Sequence, residues 1–288
     1  MAESPSHKFG QIIGNLLEEL LCPTLLAFCC ERGLYLDRHG ERIGVRKGKK
    51  LAWLDRYGNS HDLDFVIEKD GSADKKGRPV AFIEAAWRRY TKHSRNKAQE
   101  IQGAVLPIAE EYEWDKPFLG AVIAGVFTDG SIAQLRSVGF EVLYIPYQTV
   151  VEALASVEID IGFDEGTPDV AYAQAVAKIE ALPEDKRNHL KDRLYASNRE
   201  VFDKFYSTLR QKLDRMIDRI LVIPLFGDQS EFASVTDAER FVESFEEADG
   251  NGDFRKYEIE VQFSNGDHVR GAFRDKDGVQ AFFRYVAS

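Results

Sequence analysis

Two short stretches decide how this chain folds: His61-Asp62-Leu63-Asp64-Phe65-Val66-Ile67 and Val80-Ala81-Phe82-Ile83-Glu84-Ala85-Ala86. Each is a strand-like apolar run that carries a carboxylate. Asp64 opens a three-residue apolar stretch, and Glu84 ends a run that is apolar almost throughout and is therefore read as a central strand. Placing a carboxylate beside that much hydrocarbon is costly unless it is hydrogen-bonded, paired or metal-bound. Taken singly, either acid is equally well explained as capping a strand end in water or pairing with a nearby Arg. Taken together, on successive strands in the basic part of an acidic protein, they favour two hard oxygen ligands around Mg²⁺.

Working outward from these strands, Phe9, Ile12, Ile13, Leu16, Leu17, Leu20 and Leu21 recur at helical spacing, and Pro23 is expected to end that helix. The apolar stretch from Thr24 to Leu36 reads as further helix that turns at Gly33. Short strands follow at Leu51 to Asp55 and Leu63 to Glu68, around a turn at Gly58-Asn59, and the polar run Lys69 to Arg78 reads as a hairpin loop. Ser94 is an N-cap for a helix whose Ala98, Ile101, Val105 and Ile108 share a face, with a break or bend near Pro107. Phe118 to Phe127 is a buried strand. A short helix closed by Gly139 then leads to the strand Phe140 to Ile145, a parallel crossover that needs cover on both sheet faces. Past Pro146 the chain turns largely helical from Asp169 to Leu221, with interruptions at Pro183 and near Ser197. It then gives a strand (Ile220 to Phe226), a helix (Asp237 to Phe245), a hairpin across Asn265-Gly266 and a last helix, Gly278 to Val286.

The expected organisation is an α/β core over residues 1–150, a helical segment over 151–220 and a small α+β domain over 221–288. Cys22, Cys29 and Cys30 are an odd set without a second cluster, which argues for inert thiols in a reducing compartment rather than a disulfide framework or zinc site. No stretch is read as long and apolar enough for a membrane span, and the N-terminus lacks a signal layout, so a cytoplasmic location without membrane attachment is expected.

The net charge of -10 speaks against a polyanion partner, but the distribution of charge speaks for one. Arg38, Arg42, Arg46, Lys47, Lys49, Lys50 and Arg56 face only Glu41 and Asp55 in their segment. Lys75, Lys76, Arg78, Arg88, Arg89, Lys92, Arg95 and Lys97 flank Glu84 alone. The acidic excess lies from Asp228 to Asp253. Within that tail, Asp249 to Asp253 imitates the start of a calcium loop, but Phe254 stands where the loop needs Gly.

The order helix, strands bearing Asp64 and Glu84, helix, strand is similar to the PD-(D/E)XK nuclease superfamily, whose restriction-endonuclease-like core is a mixed sheet flanked by helices. The resemblance covers about half the chain. It implies that Asp64 and Glu84 hold Mg²⁺, with Mn²⁺ able to substitute, and that the Ala85 carbonyl joins the metal shell. Gly14-Asn15-Leu16-Leu17-Glu18 resembles the family's Gly-x-x-x-Glu helix element, implying Glu18 as a third acid; helical phase leaves Glu19 as the alternative. The family's Lys, two residues after the acid, is replaced by Ala86. Lys97, on the first turn of the next helix with Gln99 and Glu100 in support, is the candidate to stand in for it. Arg88, Arg89, Lys92 and Arg95, interleaved with Tyr90, Thr91, His93, Ser94 and Asn96, are candidate DNA contacts. His61 and His93 are read as hydrogen-bonding bystanders.

The expectation is therefore a Mg²⁺-dependent DNA endonuclease of restriction or phage-defence type, working as a homodimer on duplex sites. The alternative is the same fold with catalysis lost, kept as a nucleic-acid-binding or protein-interaction subunit. A third expectation is a basic protein partner docked on the acidic C-terminal domain.

Overall fold

Pro23 does not stop the first helix. In the computed structural model, which describes residues 4–90, 94–225, 228–247 and 254–287, α1 runs from Pro5 to Glu31 with Pro23 inside it. Ser4 caps its start by accepting the His7 N–H at 3.3 Å. An interior proline costs a helix about 3 kcal/mol. Here the buried Leu16, Leu17, Leu21, Leu25 and Phe28 outweigh it, at roughly 1.5–3 kcal/mol each. By length and composition α1 would also suffice to cross a membrane, which corrects the expectation that no stretch would. Pro107 is likewise accommodated without a break, because α2 runs unbroken over Ser94–Glu111.

A compact unit of residues 1–111 and 117–209 holds the five-stranded sheet. Its strands are β1 (Tyr35–Arg38), β4 (Phe65–Lys69), β5 (Arg78–Arg88), β6 (Phe118–Gly125) and β7 (Phe140–Pro146), in the order β1-β4-β5-β6-β7. The β1–β4 and β4–β5 pairs are antiparallel, while β5–β6 and β6–β7 are parallel. The fold is thus α/β, a mixed sheet flanked by helices. The helix ends at Glu31 and the chain turns through Gly33 as expected, and β1, which no sequence pattern marked, follows that turn. The segment expected to supply the first of three sheet strands instead forms β2 (Leu51–Leu54), which pairs only with β3 (Ser60–Leu63) in a separate two-stranded hairpin.

Helix α3 (Asp129–Ser137) packs on β7 and on α2, and α4 (Tyr147–Ala155) packs on β6 and β7. Helices α5 (Asp169–Glu180) and α6 (Glu184–Ser197) pack against α1, so this part of the expected 151–220 segment belongs to the first unit. Helix α7 (Arg199–Leu213) brings Phe205 edge-on to Phe118 of β6, with ring centroids 5.4 Å apart.

The second unit comprises residues 112–116 and 210–288. Its antiparallel sheet is ordered β11 (His268–Phe273), β10 (Tyr257–Phe263), β8 (Ile217–Pro224), β9 (Ser230–Phe232). Helices α8 (Val235–Ser244) and α9 (Lys276–Ala287) share a core with Ile220, Val222, Tyr257, Ile259 and Val261. The calcium-loop imitation lies outside the described residues.

Between β1 and β4, an ion cluster buries what charge counting had placed on the surface. Arg42 Nη1 donates to Asp37 Oδ2 at 2.6 Å and to Glu68 Oε1 at 2.7 Å, and its Nη2 reaches Glu68 Oε2 at 2.9 Å. Arg46 Nη1 donates to both Asp37 oxygens, at 2.8 and 2.7 Å. The Arg42 and Arg46 guanidinium groups therefore pin loops rather than face a ligand. Removing one partner of such a cluster strands the others without a counter-charge, so Arg42→Ala should lower stability by about 3–5 kcal/mol in urea unfolding; a loss under about 1 kcal/mol would mean the cluster is inert.

Candidate functional site

The register of β4 against β5 creates the site. Phe65 faces Ile83 and Val66 faces Phe82. One step back, Asp64 therefore stands across from Glu84, and facing residues of an antiparallel pair project to the same side. The two carboxylates grip each other's strand. Glu84 Oε1 accepts the Asp64 N–H at 3.2 Å, and Asp64 Oδ2 accepts the Ala85 N–H at 2.7 Å. Among the described residues neither carboxylate has another hydrogen bond, so each keeps one oxygen uncommitted.

Asp64 sits at the joint where the chain leaves its pairing with β2 and takes up pairing with β5. Glu84 is 7% exposed. Burial, then the Asp64 charge, pushes its carboxyl well above the usual range, and Lys97 pulls the other way. Burial also raises Asp64, against the Ala85 N–H and the Lys97 charge.

Helix α1 adds the third acid. Burial, then the charges of Asp64 and Glu19, raise Glu18 from an ordinary 4.5 to about 7. Glu19 is occupied elsewhere, its Oε2 accepting Arg187 Nε of α6 at 3.0 Å. Of the two alternatives, Glu18 is thus the one in electrostatic contact with the strand acids. Its orientation follows from α1 being buried along more than one side, so a residue off the main apolar stripe still faces protein.

Two cavities flank these acids. One of about 800 Å³ is lined by Glu18, Ala85, Ala86, Arg88, Asn96 and Lys97 among others. Another of about 450 Å³ is lined by Glu18, Asp64, Arg38 and His39 among others. Asn15 and Glu18 line both, Asp64 lines the smaller one, and Ala85, next to Glu84, lines the larger. Asn15, Arg38 and His39 are cavity residues that no motif in the sequence marks. Only the basic run pointed at Arg38, and nothing in the sequence tied His39 to Asp64, whose carboxyl it stabilises electrostatically.

Ala86 projects on the same side of β5 as Glu84, two residues on, and is 3% exposed. The cation in that neighbourhood comes from α2. Lys97 Nζ lies 3.4 Å from Glu100 Oε2, with the side chain about one-fifth exposed at 22%. Gln99 is exposed. Arg88 donates to the Trp87 carbonyl at 2.9 Å and to Glu100 Oε2 at 3.3 Å while lining the larger cavity. Arg89 Nη2 donates to the Asp164 carbonyl and the guanidinium lies over the rings of Tyr90, Phe163 and Tyr172, while its buried Nε and Nη1 have no hydrogen-bond partner among the described residues. Arg95 is exposed. Lys92 and His93 lie outside the described residues. His61 Nε2 is 3.0 Å from Asp55 Oδ2, in the turn of the β2–β3 hairpin.

No group of three His, Cys, Asp or Glu side chains among the described residues is arranged to hold a metal ion. What stands together is a two-carboxylate set of hard oxygens, Asp64 and Glu84, with the Ala85 carbonyl next in the chain. That set suits Mg²⁺, which is commonly held by one or two carboxylates and keeps several waters. No family model, curated protein or solved structure matches the chain.

The raised carboxyls fix a sign. A group whose pKa is higher folded than unfolded lends stability at low pH and loses it as pH rises through the folded value, about 7 for Glu18. In EDTA the protein should therefore lose stability between about pH 5 and pH 8. Glu84→Gln, which keeps the acceptor for the Asp64 N–H, should raise Tm at pH 8 and flatten that slope in thermal melts. A lower Tm at pH 8 would contradict the assignment.

Proposed function

We propose that the chain is a Mg²⁺-dependent DNA endonuclease built on a restriction-endonuclease-like core of the PD-(D/E)XK type. The observation that carries this is the Asp64–Glu84 opposition across the β3/β4 joint and β5, with Lys97 acting electrostatically on both acids. Repulsive, partly desolvated carboxylates are an expensive way to build a sheet and a good way to hold a divalent cation.

In this reading Asp64, Glu84 and the Ala85 carbonyl hold the metal, with Glu18 assisting from α1. A Mg²⁺ held there would supply a Lewis acid for the scissile phosphate and would lower the pKa of a water, so that hydroxide is available as the nucleophile. Lys97 would take the place of the Lys that Ala86 replaces, donating to the charge that builds on the phosphoryl oxygens. Glu100 steadies Lys97, and Arg88 offers a cation to the phosphate backbone from the wall of the same cavity.

A second reading has one observation in its favour. Ala86 leaves the strand without its cation, as expected of a chain retained for nucleic-acid binding or as a protein-interaction subunit.

Plasmid cleavage separates the two. With Mg²⁺ or Mn²⁺ the full chain should nick or linearise plasmid DNA, and Glu84→Ala should abolish this. Lys97→Ala should lower the rate on the order of 10²–10³-fold with little change in KM, as for loss of one donor to a developing negative charge. No cutting by the unaltered chain under any of these conditions would leave the binding reading.

A further inference from the structure

The two most exposed large apolar side chains among the described residues, Ile43 at 85% and Tyr57 at 75%, lie in one insertion, where Leu54 at 57% joins them. This insertion is the stretch between β1 and β4 that contains the β2–β3 hairpin. Its strands alternate strictly. Leu51 and Trp53 are 1% exposed and point inward, with Trp53 set edge-on against Phe82 at 6.0 Å between centroids. Ala52 and Leu54 point outward.

The turn is built as a rigid piece. Asp55 Oδ1 accepts the N–H groups of Tyr57 and Asn59, each at 2.9 Å, while its Oδ2 accepts Asn59 Nδ2 at 3.0 Å and contacts His61 Nε2 at 3.0 Å. The Asp55 N–H in turn donates to the Asn59 carbonyl at 2.9 Å. Gly58 supplies the positive φ of 83° that closes the turn. The backbone under Arg56 and Tyr57 is thus fixed in advance, while both side chains face solvent. A preorganised turn presenting an aromatic and a cation is suited to recognition, since little ordering remains to be done on binding.

Charge identifies the partner. With Arg42 and Arg46 committed to the buried cluster, the exposed cations of the insertion are Lys47, Lys49, Lys50 and Arg56, against exposed Glu41 and Asp62. Lys50 pairs with Asp62 at 2.5 Å. The ribbon itself carries Arg56 against Asp55 and Asp62, and the loop that leads into it adds Lys47, Lys49 and Lys50. A cationic tip and approach loop on a protein of net charge -10 fit a polyanion, and a two-stranded β-ribbon is one of the elements the DNA major groove admits.

We propose that the β2–β3 hairpin is a DNA-reading arm that lies in the major groove and presents Arg56 and Tyr57 to base edges. This deepens the nuclease reading and rests on it for the position of the cut. The chain runs from the turn straight along β3 into Asp64, a span of about six residues or 20 Å at about 3.3 Å each. The arm's contacts then lie to one side of the bond that is cut. Lys47, Lys49 and Lys50 then meet backbone phosphates beside it.

Fluorescence anisotropy of the full chain on a duplex in EDTA, where no cutting occurs, tests this independently of catalysis. Arg56→Ala/Tyr57→Ala should weaken binding about tenfold or more without changing Tm. Lys49→Ala/Lys50→Ala should weaken binding to all sequences alike and reduce its salt dependence. Equal affinity of the tip variant and the unaltered chain would overturn the proposal while leaving plasmid cleavage, and so the nuclease reading, intact. So would absence of duplex binding by the unaltered chain. Self-association that depends on Tyr57, with DNA binding unchanged, would assign the tip to a second copy of the chain and overturn it equally.

Discussion

Two like charges face each other across a central antiparallel strand pair, and the first unit is organised around tolerating them. Opposed like charges weaken a sheet, and burial makes each carboxylate still more costly. The register nevertheless holds, because Phe65, Val66, Ile67, Phe82 and Ile83 are at most 1% exposed. Each contributes roughly 1.5–3 kcal/mol. A slip of one residue would turn the whole set to the wrong side of the sheet. The apolar residues set the pairing and carry the acids with them. The reciprocal hydrogen bonds from the Asp64 and Ala85 amides then hold each carboxylate in a defined place, as a ligand site needs.

The surroundings follow from that opposition. Lys97 on α2 is the cation whose charge favours ionisation of both acids, whereas Glu18 on α1 adds a third acid that makes Glu84 harder to ionise. The site is thus short of positive charge without a ligand. Acids that hold their protons for want of a counter-charge are a reason to look for a divalent cation there, and the same cation would bring a phosphate diester close despite the protein's overall charge.

Much of the core was legible in the sequence because it is written in periodicity. The apolar runs of β4, β5, β6 and β7, the face of α2, and the Asn265-Gly266 hairpin are local patterns. What was not legible depends on pairing and burial. Strand β1 is four residues long with charges at Asp37 and Arg38, so no alternation marks it. The strand Leu51–Leu54 has a clear pattern, but nothing local says that it pairs with Ser60–Leu63 apart from the main sheet. Pro23 and Pro107 are breakers by local rule, and burial overrides them. Charge counting treated Arg42 and Arg46 like Lys49, although two are structural and one is exposed. At the site, Asp64, Glu84, Glu18 and Lys97 were nameable from motif and order. Asn15 and His39 were not, since only the folded chain brings them to the same cavity wall.

The most direct measurement of the central claim is Mn²⁺ binding by calorimetry to the full chain, to Asp64→Asn and Glu84→Gln, and to Lys97→Ala. The opposed carboxylates should bind Mn²⁺ in the unaltered chain, lose it in either carboxylate variant, and retain or tighten it in Lys97→Ala, where a competing cation has gone. Equal binding in the unaltered chain and both carboxylate variants, or no binding in any, would contradict a metal site built on Asp64 and Glu84.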